Sequence, residues 1–305
     1  MPKNAVLLIA HGSPENVADV PEYMNYVTGG RGVPDSVVRE VQHRYGLIGV
    51  SPLRCHTVGQ QNGVQRESGL PTYIGMRNWH PFIGDTIQQM AGDGVEHCVA
   101  ICLAPQTSRT SVGLYRKALM ERNPQFTVDF VESWHDHPGL IEAFAENYRA
   151  AYGTASREFG GEMPTLFTAH SVPERTIAEG DLYEAQTRET ASLVAKKLGL
   201  KNEQWRFAFQ SQGMSGGVWL GPTVESTLEQ FARDGVKGVF FQPIGFVCDH
   251  VEVLYDIDIA FREFAEKLGM KIWRAESLNN SATFAKAIAD IVRARLAAGV
   301  PVANL

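Results

Sequence analysis

The chain writes one corner twice, and this repetition constrains its fold more than any other feature. "LLIAHGSPE" (7–15) and "LFTAHSVPE" (166–174) are apolar runs ending in Ala-His, with Pro three and Glu four positions after the histidine. A second pair aligns without gaps, "PFIGDTIQQMAGDGV" (81–95) on "PTVESTLEQFARDGV" (222–236). Pro81/Pro222, Thr86/Thr227, Gln89/Gln230, Ala91/Ala232, Asp93/Asp234, Gly94/Gly235 and Val95/Val236 are identical. Each copy reads as Pro in a first helical turn, where the missing N–H is harmless, then a helix, then an Asp-Gly stop. The apolar strands "VEHCVAICLAP" and "VKGVFFQPIGF" follow. Strands and helices alternating at this spacing predict two α/β halves, each with a parallel sheet covered on both faces. Facing each other, such halves form a cleft at the C-terminal strand ends, where ligands bind in these sheets.

A length of 305 residues suits two domains. We place the first over 1–140 and the second over 141–283, with the terminal helix, 284–305, able to join the first. The polar, Gly-rich "TASREFGGE" precedes the second copy.

The formal net charge of -6 argues against nucleic acid as a partner, because phosphate binding needs a basic face. Cys55, Cys98, Cys102 and Cys248 form no C-x-x-C pair, so the expectation is reduced thiols in the cytoplasm and no iron–sulfur cluster. No signal peptide or spanning segment is expected: "AVLLIA" is short, and "AIADIVRARLAAGV" reads as an amphipathic surface helix. Glycine-rich nucleotide fingerprints are absent from the sequence.

His11 and His170 each stand where a strand ends. One such histidine is best read as satisfying its own loop, but two equivalent ones at an expected cleft point to a metal ligand or general base. In "GFVCDHVEVLYDIDIAFREFAEKLG", Asp249, Glu252, Asp256 and Glu263 fall at helical spacings and predict one acidic ridge, with Val251, Leu254 and Phe261 turned to the core. No cation interrupts this run before Arg262. Oxygen ligands in a row suit transient binding of a divalent cation. Arg31, Arg39 and Arg44, with Tyr26 and Tyr45, form a cation set suited to substrate carboxylates.

These residues sit in a larger pattern. "IGVSPL" (48–53), "YIGMRNWHPFI" (73–83), "LAPQTSRTSVGLY" (103–115), "HSVPE" (170–174), "QSQG…WLGP" (210–222) and "PIGFVCDHVEVLYDID" (243–258) together resemble the ferrochelatases, over nearly the whole chain. The resemblance implies two similar Rossmann-like domains with parallel four-stranded sheets facing a central cleft that holds a porphyrin. It implies ferrous iron as substrate and no prosthetic group. By position in the motifs, His170 matches the metal-site histidine, Glu252 its partner glutamate and Asp256 an outer acidic position. His11 falls where many members place a tyrosine near the other face of the metal. Arg31, Arg44, Tyr45, Ser51 and Tyr115 fall in segments that hold the propionates, and Trp219 in a substrate-binding motif.

The chain departs from the family at Asn78, where some members have a second histidine, at Thr28 or Gly29, where a basic residue is common, and at Ala260, which ends the acidic ridge early. The resemblance is greatest to the coproporphyrin III enzymes. Protoporphyrin IX is the alternative substrate, followed by a sirohydrochlorin-type chelatase or a non-catalytic heme or metal carrier. The expected chemistry has a neutral His170 accept a pyrrole proton while Glu252 orients it or receives the iron. His11 is expected to bind the product iron axially.

Overall fold

The computed structural model describes residues 3–212 and 217–299. Residues 213–216, inside one of the motifs above, lie outside that range. The chain divides into two compact units, one of Met1–Pro105, Ser111–Trp134 and Asn279–Leu305, the other of Gln106–Thr110 and His135–Leu278.

In the first unit the order is β1 (Asn4–Ala10), α1 (Val20–Val27), α2 (Asp35–Ile48), α3 (Leu53–Ser68), β2 (Thr72–Met76), α4 (Ile83–Gly92), β3 (His97–Cys102), α5 (Val112–Met120) and β4 (Thr127–Val131). The second has α6 (Pro138–Phe159), β5 (Thr165–His170), α7 (Glu174–Ala178), α8 (Tyr183–Leu198), β6 (Trp205–Gln210), α9 (Val224–Arg233), β7 (Gly238–Pro243), α10 (Val251–Leu254), α11 (Arg262–Lys267) and β8 (Lys271–Arg274). A final helix, α12 (Ala282–Ala298), belongs to the first unit.

The units therefore change over at Trp134/His135 and Leu278/Asn279, whereas the sequence reading drew its lines at 140/141 and 283/284. Side-chain contacts run along the same lines. Gln60 Nε2 donates to the Asn279 carbonyl at 3.0 Å, and Arg295 donates to both oxygens of buried Asp129 at 3.0 and 2.5 Å, which seats α12 on the first unit. Gln106–Thr110 go with the second unit because Thr107 N donates to Gln186 Oε1 at 2.7 Å and Arg109 N to Asp181 Oδ2 at 2.8 Å.

Both sheets are four-stranded and parallel, in the orders β2-β1-β3-β4 and β6-β5-β7-β8. The two orders are the same once the second unit is renumbered, so the duplication extends to topology. β1 is buried from Ala5 to Ala10, as a strand covered on both faces must be. His11 and His170 thus follow or end the strand at which the connection reverses direction, the place where open α/β sheets present functional groups.

The duplicated helices close as expected. Val95 N donates to the Met90 carbonyl at 3.0 Å and Val236 N to that of Phe231 at 2.9 Å, around Gly94 (φ 74°) and Gly235 (φ 79°). The prolines do not sit in the first turn. Pro81 and Pro222 precede α4 and α9, and their carbonyls accept from Met76 N at 2.7 Å and Phe209 N at 2.8 Å. Each proline therefore closes the end of a strand and leaves helix initiation to the residues after it.

In the second unit, Leu166, Val239, Phe241 and Ile272 from the sheet pack with Leu228 and Phe231 of α9. Val253, Ile257 and Phe261 fill the same core. The inward residues of the acidic segment are thus Val253, Ile257 and Phe261; Val251 and Leu254 are only partly buried. The core grips this segment along one face, and that grip aims Glu252.

Candidate active site

His170 is the last residue of β5, where register pairs it with Gln210 of β6. Its Nε2 lies 3.3 Å from Glu252 Oε1, and His250 Nε2 lies 3.3 Å from Glu252 Oε2. One carboxylate therefore bridges two imidazoles. Gln210, 1% exposed, donates its amide to the Glu252 backbone carbonyl at 2.7 Å. The hydroxyl of Tyr183, a buried residue, hydrogen-bonds the His170 backbone, and burial pushes its pKa up.

The protonation state follows from geometry. His170 Nδ1 meets the Ser171 carbonyl, which can only accept, so Nδ1 carries a proton. Nε2 needs a second proton to hydrogen-bond a carboxylate. Burial opposes the cation, but the charge and hydrogen bond of Glu252, with the Ser171 carbonyl and Asp256, raise His170 to about 9. Burial pushes Glu252 upward too, yet His170 and His250 hold it well below the usual carboxylate range. At neutral pH the pair is imidazolium and carboxylate. In the unliganded site the partner carboxylate outweighs desolvation, so the neutral His170 expected to accept a pyrrole proton has first to lose one.

The acidic ridge is also corrected. α10 begins only at Val251, so Asp249 precedes it, and the chain then makes a π-helical turn over Asp256–Phe261. The wider turn rotates every later residue relative to an α-helix, leaving Glu263 exposed on α11. Asp249 pairs with Arg274, a cation that lies far along the chain, at 3.0 Å. Of the expected ridge, Glu252 and Asp256 remain with the histidines. Asp256 is 8% exposed and accepts from Ser211, whose φ of 59° lies in the left-handed region that non-glycine residues rarely adopt.

Aromatic rings flank the pair. Trp219 and Phe246 have centroids 6.5 and 6.4 Å from His170, and Phe246 lies 4.6 Å from His250. Trp219 is placed by an antiparallel bridge to Pro173. Among the described residues, no three His, Cys, Asp or Glu side chains form a metal cage.

The first unit holds the other expected residues. The His11 ring lies 3.1–3.2 Å from Asn78 Nδ2 and 3.3 Å from the Tyr115 hydroxyl. Gly12, at φ 89°, lets the loop pass Trp79; a Cβ there would stand 2.8 Å from the Trp79 nitrogen. Tyr45, 2% exposed, hydrogen-bonds Ser13 at 3.0 Å. Ser51 is 5% exposed, and its hydroxyl has no hydrogen-bond partner among the described residues. Arg44 pairs with Glu40 on α2 at 2.9 Å, and Arg31 Nε donates to the Thr28 carbonyl at 3.0 Å. His11 and Tyr115 are thus brought together, as are His170, Glu252, Asp256 and Trp219.

Sequence reasoning missed His250, Gln210, Ser211, Tyr183 and Phe246. Four of these lay inside the quoted motifs. The signal for His250 was its place two residues before Glu252.

Comparisons with known proteins point to the same family as the motifs. A family profile described as Ferrochelatase matches residues 3–296. The chain belongs to the ferrochelatase family. It is 47% identical over 308 residues to the ferrochelatase of Acidobacterium capsulatum, covering 96% of this chain and 94% of that one. A protein of Oceanobacillus iheyensis named coproporphyrin III ferrochelatase is 32% identical, over 95% and 96% of the two chains. The sirohydrochlorin chelatase SirB from Bacillus subtilis subspecies spizizenii, solved with cobalt, shares the fold at 11% identity, with a TM-score of 0.59 over 95% and 94% of the chains. This ferrochelatase-family enzyme inserts metal into porphyrin, and none of its described helices is long and apolar enough to cross a membrane.

Proposed function

We propose that this chain inserts ferrous iron into coproporphyrin III, with His170 and Glu252 as the reacting pair. The observation that carries the site assignment is the Glu252 carboxylate held between two imidazoles at 3.3 Å each. Insertion exchanges one Fe2+ for two pyrrole protons. The carboxylate is ionised and supplies an oxygen donor for the iron as it sheds water. Iron arriving at Glu252 repels the neighbouring imidazolium, which gives up its Nε2 proton to water and becomes a base. Neutral His170 then takes the two pyrrole protons in turn, releasing the first to water before it accepts the second, and Asp256, partnered by Ser211, lies beside the pair. The rings of Trp219 and Phe246 offer apolar contact to a macrocycle.

The tetracarboxylate substrate is supported by the arginine-bearing segment from Arg31 to Arg44 and by relatives named coproporphyrin III ferrochelatase at 32% and 33% identity. Ser51, buried with a hydroxyl that has no partner among the described residues, and Tyr45 and Tyr115 supply further polar groups for propionates. The deciding experiment is an anaerobic assay with ferrous iron and each porphyrin side by side. A higher kcat/KM with coproporphyrin III is expected. A higher value with protoporphyrin IX reverses the substrate assignment, and binding of porphyrin without turnover would leave only a carrier.

A further inference from the structure

Arg274, the last residue of β8, ties together the two ends of the segment that carries the site. Its side chain is 10% exposed, and its Nη1 donates to Asp249 Oδ1 at 3.0 Å. Its Nε and Nη2 donate to the two oxygens of Asp258 at 2.7 and 2.8 Å. Asp249 immediately precedes His250 and also accepts from Ser277 N at 3.3 Å. Asp258 lies two residues beyond Asp256. The two carboxylates therefore bracket His250, Glu252 and Asp256.

Buried ion pairs are a weak source of stability, and apolar residues of similar volume often replace them without loss. What a guanidinium supplies is direction, because its planar fork fixes two carboxylates at set angles. Direction is needed here. The π-helical turn departs from the α-helical ladder. A second arginine steadies the same turn, with Arg262 Nε donating to the Asp258 carbonyl and its Nη1 to that of Ile272, both at 3.0 Å. A carboxylate shared between two imidazoles loses one of them if its backbone shifts by about an ångström.

We propose that Arg274 is a positioning residue for metal insertion: by holding Asp249 and Asp258 it keeps Glu252 between His170 and His250, without itself touching iron or porphyrin. The proposal rests on the reading of His170, Glu252 and His250 as the insertion site.

Three full-length variants test it. Arg274→Lys keeps the charge and loses the fork. Arg274→Met combined with Asp249→Asn and Asp258→Asn removes the charges and keeps the packing. Asp258→Asn alone loosens the partner whose side chain is 30% exposed and leaves the Asp249 pair in place. Thermal melting reports folding, and steady-state assays give kcat and KM for iron and for porphyrin separately. The expected result is a fall of about tenfold or more in kcat/KM for ferrous iron, the range seen when groups that orient metal ligands are removed. Porphyrin KM should stay within about twofold.

Wild-type iron kinetics in either folded Arg274 variant would overturn the proposal, as would equal rises in both KM values, which mark general loosening. If neither Arg274 variant folds, Asp258→Asn decides by the same readout. Full turnover in His170→Ala would refute the site reading itself, whereas an inactive His170→Ala beside a normal Arg274→Lys would refute only the role of Arg274.

Discussion

Gln210 donates its side-chain amide to the backbone carbonyl of Glu252 at 2.7 Å, while its own buried Oε1 has no hydrogen-bond partner among the described residues. The end of β6 thus grips the main chain of the residue that the reaction uses. Gln210→Leu keeps the volume and strands the Glu252 carbonyl. The expected cost is about 1–3 kcal/mol of stability, the penalty for an unsatisfied buried acceptor. Turnover should fall with it while porphyrin binding persists. Denaturant melts and initial rates on the same preparation check this; wild-type rates in a destabilised protein would separate the tether from the chemistry.

The two imidazoles around Glu252 should not be equivalent. His170→Ala removes the group assigned to the pyrrole proton, so turnover should drop by about 100-fold or more, the usual contribution of a positioned base. His250→Ala removes only a partner of the carboxylate and should act chiefly on the KM for iron. Absorbance titration with porphyrin should show binding retained in both. A His170→Ala enzyme that keeps a substantial fraction of wild-type kcat contradicts the assignment.

The same pair predicts how stability responds to pH. His170 is raised in the folded state from 6.5 to about 9, so its contribution is complete below its unfolded value and is lost as pH rises through about 9. Glu252 is lowered, so its contribution is present above the ordinary carboxylate value and is lost as pH falls through the folded one. The gap in Tm between the wild type and His170→Ala should therefore be widest on the mildly acidic side, just below pH 6.5, and narrow as pH rises from 6.5 to about 9. Melting curves that run parallel across that window would show that the pair does not hold its proton as described.

His11 is expected to coordinate the iron of the product, as a neutral nitrogen donor. In the free protein its ring is held by Asn78 and Tyr115, which fixes its orientation before any ligand arrives. His11→Ala should change the absorbance spectrum of the bound iron porphyrin and the rate of product release, with little effect on the insertion step. An unchanged spectrum would confine His11 to steadying its own loop.

The sequence by itself determined the architecture and the class of reaction. Repeated A-H-x-x-P-E corners and the matched helix–Gly–strand segments specify two parallel α/β halves, because hydrophobic period and stop signals are local properties that survive without tertiary context. The same repetition marked His11 and His170, and motif position marked Glu252 and Asp256. Tertiary structure decided which charges were free. Asp249 and Glu252 look alike in the segment, yet Arg274, 25 residues beyond Asp249, pairs with the one and leaves the other to the histidines. Helical spacing could not reveal this, since the π-helical turn changes the period within the segment and ion pairing depends on what a distant strand brings alongside. Nor could composition reveal the proton on His170, because its affinity is set by a carboxylate 82 positions away in the chain and 3.3 Å away in space.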